Sequence, residues 1–364
     1  MFELHVLGTS SARFAHGRSV SGSYVMTPSG ALLVDCGEGM QNRLVTHNIS
    51  LKKSDLNIRS KMAKIRTILF THAHLDHCWG LLPMLQTMGL DGRTEPLNII
   101  APSSKEAIEW ATENPGLAPD LDSGVDSSDF AILFHQWKNL GGKDGDFGFP
   151  INWVLVPINQ KSPFPSPVQP FDGVVLHIIP TNHGIPSCGW LISNVPSHGK
   201  FDRAKADELN LSNDQIRELA NGSDIKTSSG QLLASDFRGK VPEPRSILIS
   251  GDTTGDVEAF SQLPTSPDIL VHEATHLMAY EGKAKMWNHS TSLDASRHAN
   301  ISKSKVLALT HYSSRIDDIK LVQEEAQELH KCSIACIDGD IFTVSKDGEV
   351  SMHRRAEGWK KYDF

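Results

Sequence analysis

Residues 71–77 read THAHLDH, and they follow the apolar run IRTILF at 65–70. Alone, His72, His74, Asp76 and His77 could form a polar turn, or hold one metal ion, or two. The position of the stretch is more informative than its composition. A β-rich run feeds directly into it, so the polar groups stand where a strand stops. In layered α/β proteins, ligands gather outside the carboxyl ends of strands. Four further runs end the same way: LLVD in Asp35, HIIPTN before His183, ILISG before Asp252, and LALT before His311. Five strand ends that each offer a carboxylate or imidazole are hard to explain as core chemistry.

The rest of the chain fits that layered reading. Short β-rich runs recur: ELHVLGT, SYVMT, ALLVDCG, LNIIAP, AILFHQW, INWVLVP, VVLHIIP, CGWLISN, RSILISGD, DILVHEAT, KVLALTH and SIACIDG. Helical patterns lie between them in WGLLPMLQTMG, SKEAIEWATEN, SLDASRHANIS and DIKLVQEEAQELHK. Many short strands with interspersed helices imply an α/β fold built in layers. No fixed-period repeat interrupts it, so residues 1–364 read as one domain. Residues 103–170 are a variable, loop-rich insertion, with Gly, Pro, Ser and Asp clustered at 113–150 and 160–171. Residues 196–245 form a polar excursion that leaves after CGWLISN and returns before RSILISGD, an inserted flexible arm.

Bulk properties exclude some classes. Of 364 residues, 39% are hydrophobic and 21% charged, the profile of an ordinary globular protein. No run approaches the ~20 apolar residues of a membrane helix, so no membrane partner is expected. The start, MFELHVLGTS, lacks a signal-peptide pattern. The five cysteines show no paired spacing, which favours a reduced, cytoplasmic setting. Net charge is −8, so any nucleic acid must be met by a local basic surface rather than a global field. KKSDLNIRSKMAKIR at 52–66 is one candidate, though a solvated helix or loop explains it as well.

Imidazole and carboxylate without thiolate suit Zn2+, with Mn2+ or Fe2+ as substitutes. His72 and His74 flank Ala73 on a tight turn and can approach one ion, while Asp76 and His77 face a second position. Asp252, preceded by Gly251 where backbone must come close, is the natural bridge between two ions. HEATH at 272–276 formally fits a zinc-protease pattern, but that chemistry needs a helix and the preceding DILV is β-like.

The HxHxDH stretch, the lone His183, the GD turn at 251–252 and the strand-end His311 together resemble the metallo-β-lactamase superfamily. Within it, HEAT at 272–275, HSTS at 289–292 and LTHYSSR at 309–315 resemble the ribonuclease Z (tRNase Z) family. The resemblance implies a four-layer αββα sandwich and a zinc-dependent endoribonuclease that removes 3′ trailers from precursor tRNA. By that resemblance His72, His74 and His183 bind one zinc, Asp76, His77 and His311 the other, and Asp252 bridges them. Asp35 in the D-x-G-E-G turn supports the ligands from behind. Asp76 acts as general base, and Glu273 with His289 protonates the leaving group. Ser313, Arg315 and Arg18 are candidate phosphate or RNA contacts; Arg18 is the one match to the family's N-terminal loop motif in FAHGRS (14–19). The segment 196–245 takes the place of the family's tRNA-gripping arm, and the family's usual assembly implies a homodimer. The arm carries eight basic against eight acidic residues and no proline in LNLSNDQIRELANG. That keeps a second reading in view, a hydrolase of small phosphodiesters or other esters on the same site.

Overall fold

Alternation of apolar residues along the strands decides which layer each side chain enters. In the computed structural model, which describes residues 1–140, 147–195, 199–228 and 230–364, two sheets face each other. Parts of two expected segments lie outside the described residues: 141–146 of the insertion, and 196–198 and 229 of the arm.

The first sheet contains β1 (Phe2–Gly8), β2 (Gly22–Thr27), β3 (Gly30–Val34), β4 (Ile65–Leu69), β5 (Leu97–Ser103), β6 (Ile151–Pro157), β16 (Ile341–Val344), β17 (Val350–Arg355) and β18 (Trp359–Asp363). Its order is β18-β17-β16-β1-β2-β3-β4-β5-β6. The second contains β7 (Phe164–Pro165), β8 (Val174–Pro180), β9 (Cys188–Asn194), β12 (Ser246–Ile249), β13 (Ile269–Glu273), β14 (Val306–Thr310) and β15 (Ser333–Ala335), in the order β15-β14-β13-β12-β9-β8-β7.

On β3, Leu32 and Val34 enter the core between the sheets, while Ala31 and Leu33 face the helices α1 (Met40–Lys52), α3 (Leu81–Leu90) and α5 (Phe130–Leu140). On β13, Ile269 and Val271 enter the inter-sheet core, and Leu270 turns to α9 (Ser292–Ile301) and α10 (Lys320–Gln327). This is an αββα sandwich. Trp190 lies fully buried in its centre, with its indole N–H donating to the Phe70 carbonyl at 2.8 Å. The pairs β3–β4, β12–β13 and β13–β14 are parallel, so their carboxyl ends, and the loops that follow, collect along one edge.

Two expectations are corrected. AILFHQW (131–137) is not a strand but part of α5. A short apolar run reads alike in both forms, and here Phe130, Phe134 and Trp137 share one helical face while Asp129 Oδ1 accepts from the Ala131 amide at 2.9 Å. The strands β16–β18 lie outside the β-rich runs read from the sequence: VSMHRR and WKKYD are charge-rich, and the apolar IFTV of β16 is only four residues long.

Residues Asn194–Pro244 form a unit of their own. It holds α6 (Arg203–Glu208), α7 (Asn213–Ala220) and the hairpin β10 (Ile225–Thr227) with β11 (Gly230–Leu232), around Ala206, Ile216, Leu219, Ile225, Ala234 and Phe237. Ser212 and Gln215 close a reciprocal capping box at the start of α7. No helix among the described residues is long and apolar enough to cross a membrane.

Candidate metal site

Each predicted ligand, and Asp35 behind them, follows a strand: Asp35 after β3, the THAHLDH turn after β4, His183 after β8, Asp252 after β12 and His311 after β14. Their donor atoms converge. His72 Nε2 and His183 Nε2 each stand 3.1 Å from His74 Nδ1, and His77 Nε2 stands 3.2 Å from His311 Nε2. Asp252 Oδ2 is central, at 3.7 Å from His72, 3.5 Å from His77, 3.6 Å from His183 and 3.3 Å from His311. Asp76 Oδ2 lies 3.6 Å from His77 Nε2 and 3.4 Å from His311 Nε2, and accepts the Ala12 amide at 2.8 Å.

The outward nitrogens fix the tautomers, assigned here from the hydrogen-bond network. His77 Nδ1–H donates to Asp35 Oδ2 at 2.8 Å, and His183 Nδ1–H to the Asn288 carbonyl at 2.8 Å. The Thr71 hydroxyl donates to Asp35 and accepts from His72 Nδ1–H at 3.1 Å. The Thr275 hydroxyl donates to Glu273 Oε2 and accepts from His311 Nδ1–H at 3.0 Å. His72, His77, His183 and His311 therefore all turn Nε2 inward towards two carboxylates, where a cation can sit.

This donor set fits divalent cations. Neighbouring nitrogens on a tetrahedral zinc stand ~3.3 Å apart for Zn–N of 2.0–2.1 Å, close to the 3.1–3.2 Å found here. The donors form overlapping groups: His72, His74 and His183; Asp76, His77 and His311; His72, His77 and Asp252; and two that take in His289, with His183 and Asp252 or with Glu273 and His311. Electrostatics agree. Burial pushes the Asp76 and Asp252 carboxyls up, but the surrounding imidazoles outweigh it and hold both well below the usual carboxylate range. Burial likewise disfavours charge on His77, yet Asp252, Asp76 and Asp35 outweigh it and raise its pKa, the mark of a pocket built for positive charge.

Backbone strain gathers here too. Asp35 and His311 both adopt the left-handed region, at φ 59°, which non-glycine residues seldom enter. Gly251 stands at φ 63°, and a Cβ on it would lie 2.5 Å from Thr71 Cβ, so the backbone approach expected there does need glycine.

Glu273, the last residue of β13, is buried, and its Oε1 accepts from His289 Nδ1 at 3.0 Å and from the Thr253 amide at 2.8 Å. His289 Nδ1 lies 3.8 Å from Asp252 Oδ2. Burial opposes charge on His289, but Glu273 outweighs it and lifts the pKa to about 9; in return His289 brings Glu273 down to about 2. With Nδ1 used on Glu273, Nε2 is the His289 nitrogen left to donate.

The outlying candidates fall elsewhere. Ser313 is buried, its amide donating to the Thr275 carbonyl at 3.2 Å. Arg315 is exposed and lines a cavity of about 320 Å3 with His276, Tyr280 and Lys283. Arg18 is 7% exposed and donates to the Ile316 carbonyl at 2.7 Å. His272 lies on a strand with its Nε2 2.8 Å from His298 Nδ1, so HEATH presents no helical zinc face. Sequence reasoning missed Thr71, Thr275 and Asn288. The first two adjoin motif residues and could have been suspected; the Asn288 carbonyl left no signal.

A family model described as anti-Pycsar protein Apyc1 matches residues 2–119. Ribonuclease Z of Myxococcus xanthus is 28% identical over 348 residues, covering 94% of this chain and 97% of that protein. The crystal structure of human tRNase Z, short form, matches with a TM-score of 0.56 at 21% identity, covering 94% of this chain and 99% of that one. The metallo-β-lactamase fold protein YhfI from Bacillus subtilis matches with a TM-score of 0.57 at 15% identity, over 93% and 98% of the two chains. The chain has the metallo-β-lactamase fold and is similar to ribonuclease Z along nearly its whole length.

Proposed function

We propose that this chain is a metal-dependent endoribonuclease that removes 3′ trailers from precursor tRNA by phosphodiester hydrolysis. The observation that carries the reading is the Glu273–His289 pair, at 3.0 Å, set 3.8 Å from the central Asp252 carboxylate. Bare metal storage has no use for a buried carboxylate that keeps an imidazole protonated; departure of an alkoxide does. The names of the relatives, ribonuclease Z and tRNase Z, support the substrate class.

His72, His74 and His183 would hold one zinc ion, Asp76, His77 and His311 a second, with Asp252 between them. Such ions supply Lewis-acid charge at the phosphate and make water available as a nucleophile near neutral pH. Asp76, ionised and fixed by the Ala12 amide, accepts the proton of the attacking water. His289 Nε2 donates to the departing 3′ oxygen. Glu273 holds His289 cationic and in place, and is itself fixed by Thr253 and Thr275. Arg315 and Ser313, which line the cavity beside His276, would contact phosphate, while the buried Arg18 would act by holding the 313–316 turn. The unit at Asn194–Pro244 is the candidate tRNA-binding arm, and a cytoplasmic homodimer is the assembly that goes with it.

The near-neutral charge of that unit favours one alternative, hydrolysis of small phosphodiesters at the same site. Incubation with Mn2+ or Zn2+, a precursor tRNA and a chromogenic phosphodiester separates the two. Trailer release from the precursor is expected; cleavage of the chromogenic ester beside an untouched precursor would overturn the reading.

A further inference from the structure

Along one stripe of α1, through Gly39, Asn42, Thr46, His47 and Ser50, runs a cavity of about 550 Å3, within the size range of small-molecule sites. It takes in none of the proposed metal donors. Its two ends differ in chemistry. At one end is the start of α1, where Gly39 adopts φ 76° and gives no side-chain cap, and the first turn holds no acidic residue. The amides of Gln41 and Asn42 find no acceptor among the described residues. Orphan amides and the helix dipole together favour an anion there. Arg43 lies one turn in. Its partner Asp338 also accepts from Thr9 Oγ1 and the Ser19 amide, so that carboxylate is already satisfied. Glu38, at the mouth, is exposed to solvent.

At the other end is His47, 8% exposed. The Glu3 carboxylate, 3.6 Å from His5 Nε2, favours the His5 proton on that nitrogen, which assigns His5 Nδ1 as acceptor from His47 Nε2–H at 2.9 Å. That leaves His47 Nδ1 as an acceptor on the cavity wall, where a Cβ on Gly339 would stand 3.6 Å from it. Among the described residues it has no hydrogen-bond partner. Burial lowers the His47 pKa to about 3, which keeps the ring neutral and this nitrogen an acceptor. Trp359 stands edge-on to His47, ring centroids 6.4 Å apart, and the exposed Arg355 donates to Ser50 Oγ at 2.9 Å.

We propose that this cavity binds a nucleotide bearing a 5′-monophosphate, its phosphate at the start of α1 beside Arg43 and its base against Trp359, donating an N–H to His47 Nδ1. Gly39 and His47 are separated by about 12 Å of helix at 1.5 Å per residue, room for a phosphate and a base at opposite ends. Stacking on the half-buried Trp359 indole at the cavity wall is available to any base, and the single buried acceptor selects bases that carry a donor. The site depends on no step of the proposed hydrolysis.

The test is calorimetric titration of the metal-loaded full chain with adenosine 5′-monophosphate, with inorganic phosphate, adenosine and a 5′-phosphorylated oligonucleotide titrated in parallel. One nucleotide per chain is expected, with phosphate alone and adenosine alone each binding at least tenfold more weakly. The oligonucleotide arm tells a free nucleotide from the end of an RNA strand. Arg355→Ala with Trp359→Leu, and separately the exposed Asn42→Asp, should each weaken binding at least tenfold with the thermal midpoint held. Asp252→Asn, at the metal site, should bind as the parent does. Binding lost in Asp252→Asn but kept in the Asn42 and Arg355/Trp359 variants would place the nucleotide at the metals and overturn the proposal. Absence of saturable binding up to ~1 mM, the weak end of specific recognition, or equal affinity for inorganic phosphate, would overturn it as well.

Discussion

Replacing Glu273 by Gln tests the acid assignment with a quantitative signature. The amide keeps the shape of the carboxylate and removes its charge. His289 then loses the group that lifts its pKa to about 9, while burial still pulls it down. Its pKa falls to the ordinary ~6.5 or below. That fall corresponds to ~3 kcal/mol between protonation states. The sign follows from the role. His289 acts as a donor, so rate tracks its protonated form, which the parent retains up to about pH 9. At pH 8 the protonated fraction drops from about 0.9 to about 0.03, a roughly thirtyfold loss of kcat; at pH 6 the loss is only about 1.3-fold. The assay is single-turnover cleavage of end-labelled precursor tRNA from pH 6 to 9.5, with metal content measured on the same samples. A loss equal at pH 6 and pH 8, with metal retained, would refute the reasoning, because it would mean Glu273 shapes the site without holding a proton on His289.

Three further outcomes are expected. His289→Ala should lower turnover by roughly 100-fold or more with metal content unchanged; metal loss measured by atomic emission would instead make His289 a ligand, which its 3.8 Å approach to Asp252 permits geometrically. Asp252→Ala removes the one carboxylate close to four proposed imidazole ligands, so metal per chain should fall on dialysis and activity with it. Replacing Asn194–Pro244 by a short Gly/Ser link should abolish cleavage of precursor tRNA while leaving chromogenic phosphodiester hydrolysis within about twofold, since that unit has its own small core.

The site was legible in the sequence because its chemistry is local. THAHLDH sits on one turn, and strand-end positions for Asp35, His183, Asp252 and His311 follow from where apolar runs stop. What supports those side chains was less legible. Thr71 and Thr275 orient imidazoles through single hydroxyls, and Asn288 does so through a backbone carbonyl at 2.8 Å, so its side-chain identity carries no message. The strained φ of 59° at Asp35 and His311 likewise has no residue-type signature. In the fold, strong alternation made the inter-sheet core readable, as at Leu32 and Val34 or Ile269 and Val271. AILFHQW misled because buried helix and buried strand share the same short apolar run, and only Asp129 ahead of it, capping α5, could have tipped the balance. The groove along α1 depends on a glycine-capped helix meeting a distant hairpin, a juxtaposition that only the folded chain brings about.

In the proposed reaction the chain hydrolyses one phosphodiester of precursor tRNA, with the proton going to the 3′ oxygen. Cleavage of a defined precursor in 18O-labelled water, followed by mass analysis of both products, tests it most directly. The expected products are a tRNA ending in a free 3′ hydroxyl and a trailer whose 5′ phosphate carries one 18O. A 2′,3′-cyclic phosphate on the tRNA, or label on the tRNA end, would contradict it.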